Sequence, residues 1–246
     1  MKPLVRWTIG PVRELGHKIL KRSVENFKKI YPEFDCVVCY NNIEKKLLDE
    51  IDVDLFEQKK EFLDIQLTNP DDNVEEASGC GWKLCPARLR IESHELWIDN
   101  DIVIEKRIPE IDEWLNLKTS GIITQGLGRK RMYGPFDKFI RQDLHLCAGI
   151  FGLPPNFDLL KSINNFLYAL DGKTLGGYDE QGLTASVVSN MKNWIMIPHE
   201  KLCIIEDHDP RFVENAMGYH FTAANRKNWH RGWKIYNKEI NSISLL

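Results

Sequence analysis

Strand-like apolar runs alternate with amphipathic stretches through the first half of the chain, and this alternation limits the possible folds more than any other feature. Residues 4–9 and 34–40 are apolar runs typical of buried strands, and a weaker strand is predicted at 54–57. Residues 16–31 carry apolar side chains at helical spacing. The pattern predicts an α/β fold with a Rossmann-like, mostly parallel central sheet flanked by helices.

The later segments continue the alternation, and no repeat, low-complexity tract or linker interrupts it. The chain is therefore predicted to form one domain over residues 1–246. Further strands are predicted at 94–99, 102–104, 120–126, 146–153 and 194–198. Helices are predicted at 43–51, after a possible N-cap at Asn42, and at 82–91, 156–170 and 179–191.

Charge and composition exclude several classes of protein. The 33 Lys and Arg against 36 Asp and Glu give a net charge of -3, so the chain has no general cationic field for binding nucleic acid. No apolar run approaches the roughly 20 residues of a membrane span. The amino-terminal residues lack the features of an export signal, which favours a cytoplasmic location with six reduced cysteines. The Cys36-x-x-Cys39 pair lies in a predicted buried strand, so we expect structural thiols there rather than a zinc or redox site.

The sharpest local feature is an Asp-x-Asp triplet, Asp99-Asn100-Asp101, at the end of a predicted buried strand. Ligands of open α/β sheets bind at the carboxyl ends of strands, where two such carboxylates can hold one Mg²⁺ or Mn²⁺ ion. A solvated acidic turn is the alternative. Sixteen residues upstream, Lys83 can neutralise a diphosphate in the same crevice, or can be an ordinary surface lysine.

Lys83, Leu84 and Pro86, followed by the strand and the Asp-x-Asp triplet, resemble the GT-A-type nucleotide-sugar glycosyltransferases. The similarity is greatest to the retaining, glycogenin-like and galactosyltransferase-like group. Three later segments follow in the order of that group. They are LCAGIFGL (146–153), similar to its Asn-Ala-Gly strand, DEQGLT (179–184), similar to its Asp-x-Asp helix start, and HFTAANRK (220–227), similar to its His-Phe-x-Gly-x-x-Lys motif.

The resemblance implies a role for each of these segments. Asp99, Asp101 and His220 would hold Mn²⁺ or Mg²⁺. Arg226 or Lys227 would hold the diphosphate, and Gly149 would let a sugar approach closely. The chain departs from the group at several positions, among them Cys147, where asparagine is usual.

The start of the helix at 179 is expected to face the donor sugar and acceptor. Its candidate catalytic residues are Asp179, Glu180 and Gln181. In a retaining enzyme the leaving phosphate can deprotonate the acceptor, and Gln181 or Asp179 would steady the sugar. In an inverting enzyme Asp179 or Glu180 would be the general base. Acidic residues also favour a helix amino terminus without any function.

The nucleotide is expected across the ends of the first two strands. The candidate residues for binding it, besides Lys83 and the two basic residues at 226 and 227, are Thr8, Gly10, Arg13, Tyr40, Asn41 and Asn100. Tyr40 can stack on a base or pack in the core. The nucleotide-binding part would span residues 1–101, and the acceptor- and sugar-binding part with a carboxyl-terminal tail would span 102–246.

The predicted function is metal-dependent transfer of a sugar from a UDP-sugar, or alternatively a GDP-sugar, to a carbohydrate or glycoconjugate acceptor. Retention is favoured and inversion stays open. A sugar-nucleotidyltransferase and a catalytically silent carbohydrate-binding module are the alternatives. The aromatic and basic tail at 226–236 can close over the donor, stack on an acceptor sugar, touch anionic lipid as a peripheral membrane contact, or simply pack as a helix.

Overall fold

Ten strands lie in two sheets in this computed structural model, which describes residues 1–12, 14–59, 80–127, 133–170, 179–204 and 216–221. In chain order the strands are β1 (Leu4–Ile9), β2 (Asp35–Tyr40), β3 (Asp54–Glu57), β4 (Glu95–Asp99), β5 (Ile102–Ile104), β6 (Ser120–Gln125), β7 (Leu146–Leu153), β8 (Asn193–Ile197), β9 (Leu202–Ile204) and β10 (Gly218–His220).

The larger sheet has seven strands in the order β3-β2-β1-β4-β7-β6-β8. Its pairs are parallel except those of β7, which runs antiparallel to both β4 and β6. A second sheet of three strands has the order β5-β10-β9, with β10 antiparallel to β5. Because β5 follows β4 after a two-residue turn, the small sheet begins where β4 ends.

Helices cover both faces of the larger sheet, as the amphipathic pattern predicts. They are α1 (Glu14–Ile30), α2 (Pro109–Leu115), α3 (Leu159–Tyr168) and α4 (Asp179–Ser189). The first two pack in one apolar core with Trp7 and Ile98, and the other two pack in a second core with Trp97 and Phe151. The predicted α/β domain with a mostly parallel sheet is therefore confirmed. Among the described helices, none is long and apolar enough to cross a membrane.

Two predicted helices are wrong in type or extent. Residues 43–51 form only a short 3₁₀ helix at Lys45–Leu48. Its buried residue Leu48 and the following Ile51 are three positions apart, which suits the three residues per turn of a 3₁₀ helix, and Leu47 is exposed. Asn42 adopts a left-handed φ of 53° and does not cap it, since Glu44 precedes the first turn. Residues 82–91 contain the end of another 3₁₀ helix, Cys80–Leu84, followed by bends.

The Cys-x-x-Cys pair lies within β2 and its two thiols do not form a joint site. Residues three apart in a strand point to opposite faces of the sheet. Cys36 packs on the α1 side, and both cysteines are free. Burial raises the pKa of the Cys36 thiol to about 12 and that of Cys39 to about 11. Both thiols are therefore protonated at neutral pH, as expected for structural cysteines.

A buried network of charges fixes the segment that carries Lys83. Arg6 on β1 and Glu95 on β4 are fully buried and pair at 3.3 Å. Arg88 donates to the same carboxylate at 3.0 Å. The Arg6 guanidinium also donates to the main-chain oxygen of Lys83 at 2.5 Å, and Trp97 Nε1 donates to that oxygen at 3.1 Å. The network therefore anchors the backbone of Lys83 to the central strands.

We predict that Glu95→Gln lowers the free energy of unfolding by about 3–5 kcal/mol, because it leaves two buried guanidinium groups without a compensating charge. The matched control is Glu50→Gln, which removes the same charge from an exposed pair with Lys21 and should leave the transition nearly unchanged. Urea denaturation of both variants checks the difference. Equal, small shifts would show that the buried network does not hold the fold.

Candidate active site

The carboxyl ends of β1 and β4 lie side by side, and the turn after β4 carries the acidic triplet. Thr8 pairs with Asp99 across the parallel strands, and Asp101 follows one turn residue later. The small sheet brings a distant residue to the same place. His220 pairs with Ile102, directly after the triplet, so the fold brings together two residues that are 118 positions apart in the sequence.

The carboxylates of Asp99 and Asp101 converge with the imidazole of His220. Nε2 of His220 lies 3.4 Å from Asp101 Oδ1 and 3.9 Å from Asp99 Oδ2. One donor atom from each of the three residues lies within 4.8 Å of the others. Asp101 and His220 are buried, and Asp101 Oδ1 makes no hydrogen bond with the described residues. A buried carboxylate oxygen that makes no hydrogen bond and lies near a second carboxylate and an imidazole nitrogen fits a divalent cation with oxygen and nitrogen ligands.

Lys83 forms ion pairs with carboxylates at this edge of the sheet. Its ammonium is buried and lies 2.6 Å from Asp99 Oδ1 and 3.5 Å from Glu180 Oε1, and it donates to the main-chain oxygen of Ala148 at 2.5 Å. Burial by itself lowers the pKa of Lys83, but the two carboxylates outweigh that effect and raise it above its ordinary value. The side chain is therefore a permanent cation at physiological pH.

The three candidate residues at the start of α4 do not share one environment. Successive residues of a helix point about 100° apart. Glu180 is buried against Lys83 and Thr184, and burial raises the pKa of its carboxyl. The carboxylate of Asp179 lies against Gly134, where an added Cβ would stand 1.9 Å from Oδ1. Gln181 is half-buried. The structure thus brings Glu180 into the Lys83 cluster.

The amino-terminal turn of α4 rests on the backbone at 133–134. A Cβ on Gly182 would stand 2.2 Å from the main-chain oxygen of Tyr133, so glycine is required for this approach. Gly134 has a φ of 49°, which glycine adopts without strain. Two glycines therefore allow the contact that sets the position of Glu180.

The predicted nucleotide-binding residues lie at the ends of β1 and β2. Thr8 Oγ1 is buried and makes no hydrogen bond within the described part of the chain. Gly10 lies beside Asn41, whose Oδ1 would be 3.2 Å from an added Cβ. Tyr40 packs in the α1 core, with 8 % of its surface exposed, and stacking of a base on its ring stays a prediction. Asn100 is half-buried in the turn between the two aspartates.

Gln58 is a structural residue that the sequence pattern does not reveal. It is buried just after β3, accepts a hydrogen bond from Asn41 Nδ2 at 2.8 Å, and donates to the main-chain oxygen of Trp82 at 2.7 Å. Asn41 is therefore used to hold Gln58, which in turn holds the segment before Lys83. A glutamine in a loop gives no sequence signal for such a role.

Gly149 lies against the ring of His220. An added Cβ there would lie 2.7 Å from Cε1 of His220, so the missing side chain makes room for the imidazole. The close approach of a sugar at Gly149 stays a prediction. Cys147, two residues earlier on the same strand, places Sγ 3.9 Å from His220 Nδ1. The two residues of β7 thus flank the ring.

Three predicted site residues lie outside the described residues. They are Arg13, Arg226 and Lys227. The aromatic and basic tail at 226–236 also lies outside them.

Comparisons with known proteins give a clear result for structure and none for sequence. No protein-family model matches the chain, and no curated protein matches its sequence. Among solved structures, the chain is similar to the galactosyltransferase LgtC in complex with donor and acceptor sugar analogues, with a TM-score of 0.58 and 10% identity over 90% of this chain and 87% of that one.

Two further glycosyltransferase structures show the same likeness. Mouse xyloside xylosyltransferase 1 in its apo form matches with a TM-score of 0.54 and 10% identity, covering 91% of this chain and 98% of that one. A glycosyltransferase involved in the glycosylation of the major capsid of PBCV-1 matches with a TM-score of 0.51 and 11% identity, covering 94% and 98%. The chain therefore shares the fold of these glycosyltransferase structures, and the GT-A-type fold that its sequence motifs predict is confirmed.

Proposed function

We propose that this protein is a metal-dependent glycosyltransferase that moves a sugar from a nucleoside diphosphate sugar, preferentially a UDP-sugar, to a carbohydrate or glycoconjugate acceptor. The observation that carries the proposal is the convergence of Asp99, Asp101 and His220 beside the buried ammonium of Lys83. This cluster lies at the carboxyl edge of β1 and β4, where open α/β sheets bind ligands.

The charges of the cluster suit a divalent cation. Among the described residues, the carboxylates of Asp99, Asp101 and Glu180 pair with the ammonium of Lys83 and with the imidazole of His220. When His220 has lost its proton, as metal binding requires, three ionised carboxylates and one ammonium leave two negative charges. We propose that Asp99, Asp101 and His220 hold Mn²⁺ or Mg²⁺. Such an ion, when bound, supplies positive charge for the departing diphosphate.

Lys83 has a second proposed role as a fixed positive charge beside the diphosphate. Its position is set by Asp99, Glu180 and the main-chain oxygen of Ala148, so no reorganisation is needed when charge develops on the leaving group. Arg226 and Lys227 are proposed to add positive charge to the same phosphates. The nucleoside is proposed to contact Thr8, Gly10, Arg13, Asn41 and Asn100.

Retention of configuration is the stereochemical outcome we propose. An inverting enzyme needs a general base within hydrogen-bond reach of the acceptor hydroxyl. Glu180 is committed to Lys83, and the Asp179 carboxylate lies against Gly134. Neither carboxylate is therefore well placed to act as a general base on an acceptor hydroxyl. We propose that the departing phosphate accepts the proton, and that Gln181 contacts the sugar.

We also propose which part of the chain binds which part of the substrates. Residues 1–101 are proposed to bind the nucleotide, and residues 102–246 to bind the sugar and acceptor. The cytoplasm remains the predicted location. A sugar-nucleotidyltransferase and a silent carbohydrate-binding protein are the alternatives, and the next experiments separate them.

Replacing one acidic residue tests the metal site. Asp101→Asn should weaken Mn²⁺ binding and reduce metal-dependent donor hydrolysis by about two to three orders of magnitude, since several kcal/mol of charge stabilisation are lost. Titration calorimetry with Mn²⁺ and UDP measures binding, and release of UDP from UDP-sugars measures turnover. Asp52→Asn, which removes a carboxylate paired with Lys28 far from the site, is the control. Unchanged binding and hydrolysis in Asp101→Asn would refute the proposal.

Metal affinity should increase with pH. Burial lowers the pKa of His220, but the nearby carboxylate of Asp101 outweighs this effect and holds the pKa well above its usual value. The imidazole is therefore protonated in the metal-free protein at neutral pH and must lose that proton to act as a ligand. We expect the Kd for Mn²⁺ to fall by up to about tenfold per pH unit between pH 6 and 8. An affinity independent of pH would exclude His220 as a ligand.

A double variant separates the structural role of Lys83 from its proposed chemical role. Lys83→Met leaves two buried carboxylates uncompensated and should destabilise the fold by about 3 kcal/mol or more. Adding Glu180→Gln removes one of those charges and should restore part of the stability. Donor hydrolysis should stay low in both variants. Recovery of hydrolysis together with stability would mean that Lys83 acts on the fold alone.

Product analysis tests both the reaction class and its stereochemistry. A panel of nucleotide sugars incubated with protein and Mn²⁺ should give UDP and a sugar released or transferred with the anomeric configuration of the donor, observed by proton NMR at early times. Pyrophosphate-dependent formation of a sugar phosphate would identify a nucleotidyltransferase. Sugar binding without turnover of any donor would identify the silent module.

A further inference from the structure

The imidazole of His220 lies between the acidic triplet and strand β7. Its Nε2 faces Asp101 and Asp99, and its Nδ1 faces Cys147 Sγ at 3.9 Å. Gly149 lies against Cε1 and Nδ1 and leaves no room for another side chain between ring and strand. His220 and Cys147 are both buried, so water does not readily replace the thiol as the partner of Nδ1.

We propose that Cys147 is a positioning residue whose sulfur accepts a hydrogen bond from Nδ1–H of His220, so that Nε2 presents its lone pair to the cation between Asp99 and Asp101. This inference rests on the proposed metal site. A neutral imidazole carries one donor and one acceptor nitrogen, and the partner of the donor nitrogen decides which is which. Metal-binding histidines ordinarily donate their second nitrogen to such a partner.

Cys147 is not itself placed to bind the same ion. The two ring nitrogens lie on different edges of the imidazole, and the sulfur is next to Nδ1 while the carboxylates are next to Nε2. The cluster of donor atoms within 4.8 Å of one another consists of Asp99, Asp101 and His220, without the sulfur. The thiol therefore acts through the histidine.

The strand fixes the position of the thiol. Thr124 on β6 pairs with Cys147, and its hydroxyl donates to the main-chain oxygen of Cys147 at 2.5 Å. The pairing of β6 with β7 shifts register directly before Thr124. The residues of β7 left out of this pairing, 148–150, include Gly149. Across this irregularity, Cys147 Sγ and the space left by the missing side chain of Gly149 both lie against the ring of His220.

The test compares Cys147→Ala, which removes the acceptor, with Cys147→Ser, which supplies a shorter one. Cys36→Ala, a thiol at the start of β2, is the control. We expect Cys147→Ala to weaken Mn²⁺ binding about 10- to 100-fold, the range for loss of such an outer partner. Cys147→Ser should retain most of the affinity, and Cys36→Ala all of it. Thermal denaturation of each variant verifies that it is folded.

A spectroscopic readout distinguishes positioning from packing. With ¹⁵N-labelled histidine and Mg²⁺ as a diamagnetic ion, the native protein should show His220 protonated at Nδ1, and Cys147→Ala should show a mixture of tautomers. The His220 signals are assigned by their loss in His220→Gln. Unchanged affinity and an unchanged tautomer in Cys147→Ala would overturn the inference.

Failure of the inference is distinguishable from failure of the proposed function. If Asp101→Asn weakens Mn²⁺ binding and Cys147→Ala does not, the metal site stands and the positioning role is wrong. If native protein and Asp101→Asn bind Mn²⁺ equally, the metal site itself is wrong and the role of Cys147 is wrong with it.

Discussion

The buried ammonium of Lys83 is the interaction on which the arrangement of the site depends. It contacts Asp99 at the end of β4, Glu180 at the start of α4 and the main-chain oxygen of Ala148 on β7. Burying a lysine is costly unless opposite charges compensate it, and two carboxylates do so here. One ammonium group therefore connects three separate elements of the fold. Its contact with Asp99 also fixes the orientation of the first carboxylate of the acidic triplet.

A second group of buried charged side chains supports the segment that carries Lys83. Arg6, Glu95 and Arg88 are buried between the sheet and the segment that follows Lys83, and Trp97 lies against both guanidinium groups. This network holds the backbone of Lys83, while the carboxylates of the site hold its side chain. The proposed reaction would benefit from such a rigid cation, because a fixed charge does not have to reorganise when charge develops on a leaving group.

Much of this fold follows from local sequence, but the contacts that complete the site do not. The strands and α1 are visible in the apolar periodicity, and the Asp-x-Asp triplet is visible because a buried strand stops at it. Arg6 and Glu95 are different: they are 89 positions apart and look like outward-facing charges in alternating strands until β1 and β4 are paired. Gly149 is a similar case, because it makes room for the imidazole of His220, which is 71 positions later in the sequence. The helix predicted at 43–51 is only a short 3₁₀ helix although Leu48 and Ile51 are buried in the α1 core, so the burial of apolar residues alone does not decide the type of helix.

The seating of α4 on the turn at 133–134 has a consequence for how this site can vary. Glu180 reaches Lys83 only because Gly182 lets the helix approach the backbone of Tyr133. A single extra methyl group at Gly182 would displace the helix, and Glu180 with it, although every charged residue of the sequence would be unchanged. The chemistry of the cluster is therefore vulnerable to changes in a residue that carries no chemistry, and related chains with the same charges need not have the same reactivity.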